Sequence, residues 1–406
     1  MPQYLSPGVY VEEVPSAVQP IAGVGTSTAG FVGVVPDALV LPPYTTVKVT
    51  NDTPAEQPDN TKKSLQLPRY PVLTTSGTFT VNVNGHEDNQ ATLSNDDNNL
   101  KASVTFPVAP KTGDVVTVDY YAVSPLQIRG ESVGAGNGTT KKFRLAGYPV
   151  NTAAGSFSFM LAGKPATPAP TVSNEPANRV SYVNFGTPPG AGEAITGDYV
   201  AFGRTFSPVL PGKPTLCTNF SEFKKAFGDF STDTGQQALA HAAYGFFHNG
   251  GTRCFVVRYA TKADLQKPTA LDPFEAIDEI SLVAVPGSSD SMVWTNVLSH
   301  CAKTNNRFAI LDSPSITENP TATGSHPVNS TYGAYYLPRI QVFDPATKAM
   351  NPDGPGLTYV GPSGHLAGIY ARVDAIRGVH KAPANGLEFG VSGFPRSPRL
   401  DCYCLR

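Results

Sequence analysis

The chain copies part of itself. Thr61-Lys62-Lys63 answers Thr140-Lys141-Lys142, Tyr70-Pro71-Val72 answers Tyr148-Pro149-Val150, and Phe79 with Gly85 answers Phe157 with Gly163. Phe106 then answers Phe185 and Asp119-Tyr120 answers Asp198-Tyr199, so the offset holds at 78 or 79 residues throughout. Such constancy argues for duplication. Both copies alternate apolar and polar residues, as in Phe79-Thr80-Val81-Asn82-Val83-Asn84-Gly85, with Pro and Gly turns between. Each therefore reads as a small β-sandwich, the first over residues 46–125 and the second over 126–203.

The flanking sequence has a different texture. Near the start, Val9, Val11 and Val14 alternate with Tyr10, Glu12 and Glu13 between Pro7-Gly8 and Pro15. This short strand with loose ends either joins its own sheet or pairs with the sheet edge of another chain. IAGVGTSTAGFVGVV, over 21–35, closes on Phe31, Val32, Val34 and Val35 and suits a buried strand. Its glycines are not a phosphate loop, which needs a Lys before Ser or Thr at a helix start, because Lys48 is the first lysine. From residue 206 helices and strands alternate. Ser221 is placed to cap a short helix with Phe223, Ala226 and Phe227 on one face, ended by Gly228. Ala238, Leu239, Ala242, Ala243, Phe246 and Phe247 share one helical stripe that stops at Gly250-Gly251. Strands are expected at Cys254–Arg258, Leu282–Val285 and Phe308–Leu311, with helices starting at Asp272-Pro273 and running from Met292 to Cys301. That alternation predicts α/β architecture with a largely parallel sheet.

Composition narrows the function. At 406 residues, 40% hydrophobic and 15% charged, with 38 Gly and 38 Pro, the chain is turn-rich, β-containing and long enough for two to four domains. A net charge of -2 gives no electrostatic basis for nucleic-acid binding. The N-terminus lacks a basic and apolar leader, and no stretch approaches the roughly 20 apolar residues of a membrane helix, so the reading is cytoplasmic synthesis without direct membrane insertion. Cys217, Cys254, Cys301, Cys402 and Cys404 lack the spacing of a zinc site or a disulfide framework, and the first three read as reduced core residues.

The isolated motifs point away from chemistry. Asp233-Thr234-Gly235 copies the aspartic-protease tripeptide, but that mechanism needs two carboxylates, so Asp233 reads as a helix cap. His300 and Cys301 are adjacent on a helix and point about 100° apart, which favours a packed Cys beside an exposed His over a nucleophile with its base. His365, where a loop becomes a helix, is a general base or, more simply, a local hydrogen-bonding group. Asp88, Asp96 and Asp97, set among Asn residues, are calcium ligands or solvated turns, with turns favoured. Arg372, Asp374, Arg377 and Lys381 are helix-spaced and read as an ion-pair network or a subunit contact. No catalytic, cofactor or metal set emerges, and a non-enzymatic role is expected.

As a set, four blocks resemble contractile tail-sheath proteins: YLSPGVYVEEV with IAGVGTSTAGFVG, ALAHAAYGFFHNGGTRCFVVR, HCAKTNNRFAILDSP, and GPSGHLAGIYARVDAIRGVHKAPAN. The resemblance covers about the first 35 residues and most of 206–394, and it implies an α/β sheath core split into 21–45 and 204–406. Two all-β repeats would be inserted in that core, and 1–20 would form an extended N-terminal arm whose Val9, Tyr10, Val11 and Glu12 pair with a neighbouring subunit. It implies a homo-oligomer stacked as rings around an inner tube, with baseplate and tail-terminator partners, that contracts to drive the tube through a target envelope. The particle would be assembled in the cytoplasm of a producing bacterium as a phage tail, tailocin or extracellular injection system, and no cofactor is implied. After Asn385 the family continues into a further domain, whereas here GVSGF leads to PRSPRLDCYCLR, so a truncated C-terminal part is expected. The alternatives are a surface-binding adhesin or glycan-binding protein using the repeats, and an α/β hydrolase using His365.

Overall fold

The computed structural model describes residues 27–42, 46–314, 327–381, 391–393 and 401–404. The predicted arm, with Val9, Tyr10, Val11 and Glu12, lies outside them.

The core runs β1 (Thr28–Val34), β2 (Thr215–Cys217), α1 (Phe220–Phe227), α2 (Thr234–His248), β3 (Cys254–Tyr259), α3 (Lys262–Leu265), β4 (Ile280–Ala284) and α4 (Ser291–Thr304). It continues with β5 (Phe308–Asp312), β6 (Gly333–Leu337), β7 (Ile340–Phe343), α5 (Pro345–Met350), β8 (Leu357–Val360), α6 (Ser363–Arg377), β9 (Val391–Gly393) and β10 (Asp401–Cys404). A seven-stranded sheet has the order β2-β3-β1-β4-β5-β6-β10. Its inner pairings are parallel, while β2 and β10 run antiparallel at the two edges. A strand covered on both faces reads as a continuous apolar run. That is the pattern of β1, where Ala29 and Phe31 face one cluster with Leu239, Phe246, Leu366 and Ile369, and Val32 faces another with Trp294, Val297 and Leu311. A smaller sheet, β8-β7-β9, stands beside it.

Two helix starts differ from expectation. Asn219, not Ser221, caps α1, its side chain accepting from Glu222 N at 3.0 Å, while Glu222 accepts from Thr218 N at 2.8 Å. This reciprocal closure satisfies two end donors at once and leaves Ser221 inside the first turn. Near Asp272-Pro273 the chain forms a 3₁₀ helix, Pro268–Phe274, opened by Pro268. A proline loses nothing at a first position, where its missing N–H has no helical partner.

Between β1 and β2 lie two β units. In the first, a four-stranded and a three-stranded sheet enclose Leu65, Val81, Val104 and Val118. In the second, sheets of the same size and connectivity enclose Leu145, Phe159, Val183 and Ile195. The correspondence reaches single hydrogen bonds. Asn95 accepts from Val72 N at 3.0 Å as Asn174 accepts from Val150 N at 2.9 Å. Tyr120 donates to Asp52 as Tyr199 donates to Glu131. At the base of the pair, Leu39–Val40 runs antiparallel to Thr205–Phe206, which brings both ends of the two-unit segment together. Among the described residues, no helix is long and apolar enough to cross a membrane.

Candidate functional site

The sequence blocks meet where α2 crosses α6. A Cβ on Gly364 would lie 2.2 Å from Ala242 Cα, and one on Gly368 would lie 2.5 Å from the Phe246 carbonyl oxygen. Real Cβ atoms never approach backbone that closely, so the absent side chains let the two backbones touch. His365 fits the third gap, its Nδ1 2.4 Å from where a Gly245 Cβ would stand. It is 1% exposed, and its Nδ1 has no hydrogen-bond partner. Burial, aided by the histidines at 241 and 248, lowers its pKa to about 3, so it is neutral in the fold. The imidazole is a packing element rather than the local hydrogen-bonding group expected from its position.

Asp344 fastens this helix pair to α5. It caps α5 through Ala346 N and Thr347 N and accepts from Gln237 Nε2 at 2.8 Å, with His241 Nε2 3.3 Å away, so one buried carboxylate joins α2 to α5. Burial acts to raise its pKa, but bonds from His241, Thr347 and Gln237 outweigh it and hold the carboxyl at about 2.

A crevice of about 420 Å³ opens at the carboxyl ends of β1 and β4, beside the first turn of α2. Open α/β sheets commonly bind ligands in such a place. Here several of the polar groups that line the crevice are already engaged. Asp233 accepts from Gly235 N and Gln236 N at 3.1 and 2.9 Å, which makes it the cap read from its sequence. Buried Asp312 accepts from Ser363 N at 2.8 Å and so caps α6 across the sheet, while Arg339 donates to the Ser313 and Gly287 carbonyls.

Several of the remaining candidates have structural partners. Cys301 is fully buried, as read, but His300 is buried too, at 6% exposure. It accepts from Arg307 Nη1 at 2.6 Å, and Arg307 also donates to the Phe274 and Ile277 carbonyls. Burial and that guanidinium lower the His300 pKa to about 4. A seven-residue separation across a turn carries no signal in helical spacing, so this partner was invisible in sequence. Asp88 and Asp96 cap their own turns, accepting from Gln90 N and Asn98 N. Asp97 does something else: it accepts from Tyr70 at 2.7 Å and from Tyr148 at 2.6 Å, one hydroxyl from each β unit. Asp374 accepts from Ser27 at 3.4 Å. The first β unit meets the core through Lys48 and Asp353, an exposed pair at 2.8 Å.

No protein-family model matches the chain, and no curated protein does. Among solved structures, the chain is similar to one in the anti-feeding prophage (AFP) helical sheath in contracted state, at 26% identity over 46% of this chain and 49% of that one, TM-score 0.36. It is also similar to a chain of the AFP baseplate in contracted state, at 24% identity over 47% and 53%, TM-score 0.38. A third match is the PVC sheath complex of an extracellular contractile injection system in contracted state, at 24% identity over 45% and 46%, TM-score 0.34. The chain spans about half the length of these relatives, and each alignment covers less than half of it.

Proposed function

We propose that this chain is a structural subunit of a contractile tail sheath, without enzymatic activity. The observation that carries the reading is the meeting of the resembling blocks in one body. The β1 segment, α2 with β3, the end of α4 with β5, and α6 are neighbours around a single doubly covered sheet, with α2 and α6 in backbone contact. A subunit that must move as one piece during a collective rearrangement needs such a core. The two β-sandwich units, 46–125 and 126–203, are insertions that face outward. The arm, 1–20, pairs through Val9, Tyr10, Val11 and Glu12 with the sheet of another copy, a heterologous contact that propagates into a helical array. The partners are further copies, an inner tube, and baseplate and terminator proteins, in a particle assembled in the cytoplasm of the producing bacterium. Electron microscopy of the chain expressed with its gene cluster tests this: striated tubes are expected, and isolated soluble particles that bind glycans overturn it. Deleting residues 1–18 in the same cluster is expected to abolish ordered tubes.

A further inference from the structure

Residues directly opposite in an antiparallel pair have Cα atoms about 4.5–5.5 Å apart and side chains on one face of the sheet. That separation lies inside the range of about 4.4–6.8 Å that a disulfide spans. Cys217, the last residue of β2, is the direct partner of Cys254, the first residue of β3. Both side chains are fully buried in the same apolar cluster, and both thiols are free. The backbone spacing of such a pair is therefore within the reach of a disulfide.

Access is the remaining condition. β2 is three residues long and, among the described residues, forms one edge of the seven-stranded sheet, hydrogen-bonded on one side only. Short edge strands open at the low end of a protein's local stability range. While β2 is in place, burial excludes oxidants and keeps the Cys254 thiol well above its ordinary pKa. When β2 lifts away, both protections fall together. Cys301 has no such prospect, because it lies in the cluster on the other face of the sheet.

We propose that Cys217 and Cys254 are a latent oxidation site, which a low-molecular-weight disulfide such as oxidised glutathione converts to a cross-strand disulfide when β2 opens. One cysteine thiolate attacks the glutathione disulfide, breaking its S–S bond and releasing one glutathione thiolate. The second cysteine thiolate attacks the protein sulfur of that mixed disulfide and displaces the other glutathione. The protein dithiol loses two electrons, oxidised glutathione gains them, and the two thiol protons end on the two glutathiones. The product fastens the edge strand, and α1 behind it, to β3.

The test incubates the full chain with oxidised glutathione in buffer and in urea below the unfolding transition, followed by alkylation and peptide mapping. A peptide pair linked through Cys217 and Cys254 is expected, forming on the order of tenfold faster in urea because the rate follows the open population. The oxidised chain is expected to melt several degrees higher, reversibly on adding dithiothreitol. Cys217→Ser and Cys254→Ser each remove the link and the shift, whereas Cys402→Ser with Cys404→Ser retains both. Glutathione carried singly at either residue without a link, unreacted thiols at both positions in urea, or an unchanged or lower melting temperature overturns the proposal. Mapping of the unsubstituted chain decides it even where a serine variant fails to fold.

Discussion

At the scale of single residues, missing atoms matter as much as present ones. The Gly364 backbone lies against that of Ala242, so Gly364→Ala forces the helices apart rather than moving a side chain. Overpacking of this kind costs about 1–3 kcal/mol, and a corresponding drop in urea-unfolding free energy is expected. Titratable groups set a second property. His365 titrates near pH 3 in the fold against 6.5 when free, and His300 near 4. Between those values the unfolded chain binds protons that the native chain does not, so stability falls as pH drops from about 6.5. Asp344 acts in the same direction lower down: its contribution is complete above the ordinary carboxylate value of 3.8 and is lost as pH falls toward about 2. Each group adds a slope of up to about 1.4 kcal/mol per pH unit in its window. His365→Gln is expected to flatten the decline between pH 6 and 4, in about that proportion, when urea midpoints are compared.

At the scale of elements, a single carboxylate links the two β units. Asp97 accepts one tyrosine hydroxyl from each β unit, so it acts as a pin between them. Asp97→Ala removes two hydrogen bonds to a charged group, and a loss of about 1–3 kcal/mol confined to the joint is expected. Hydrogen exchange should rise around Tyr70 and Tyr148 while the sheets' interiors stay protected. Neither tyrosine's role was legible, since the pin is formed by a loop residue whose counterpart in the second unit is Pro176. The repeat itself was legible because Asp119 and Asp198 do the same work in both copies, accepting from Asn51 N and Gly130 N at 2.6 Å each. The α2 stripe and its Asp233 cap were legible too, since periodicity and capping are local. The α1 cap was misplaced because Asn219 and Ser221 are both competent caps, and the choice rests on Glu222 reaching back to Thr218. The capping of α6 by Asp312 was out of reach, because the carboxylate comes from another strand.

At the scale of the whole molecule, the two β units join the core through few contacts. Leu39–Val40 pairs with Thr205–Phe206, and the exposed ion pair between Lys48 and Asp353 adds little where solvent screens it. Replacing residues 46–203 with a short Gly/Ser linker is therefore expected to leave the α/β core folded. A single cooperative melting transition is the expected result, and its loss shows that the units brace the core. The pairing of Leu39–Val40 with Thr205–Phe206 also governs the order of events during synthesis. β1 is an interior strand, yet both of its neighbours, β3 and β4, are encoded more than 200 residues downstream. At about 5–20 residues per second, the ribosome leaves Phe31 and Val32 without a sheet for roughly 10–40 s. In that interval the two β units can close from sequence already made. Their closing draws Leu39 and Phe206 together, so that when β3 emerges, the strand it must find is tens of residues away along the shortened path rather than more than 200.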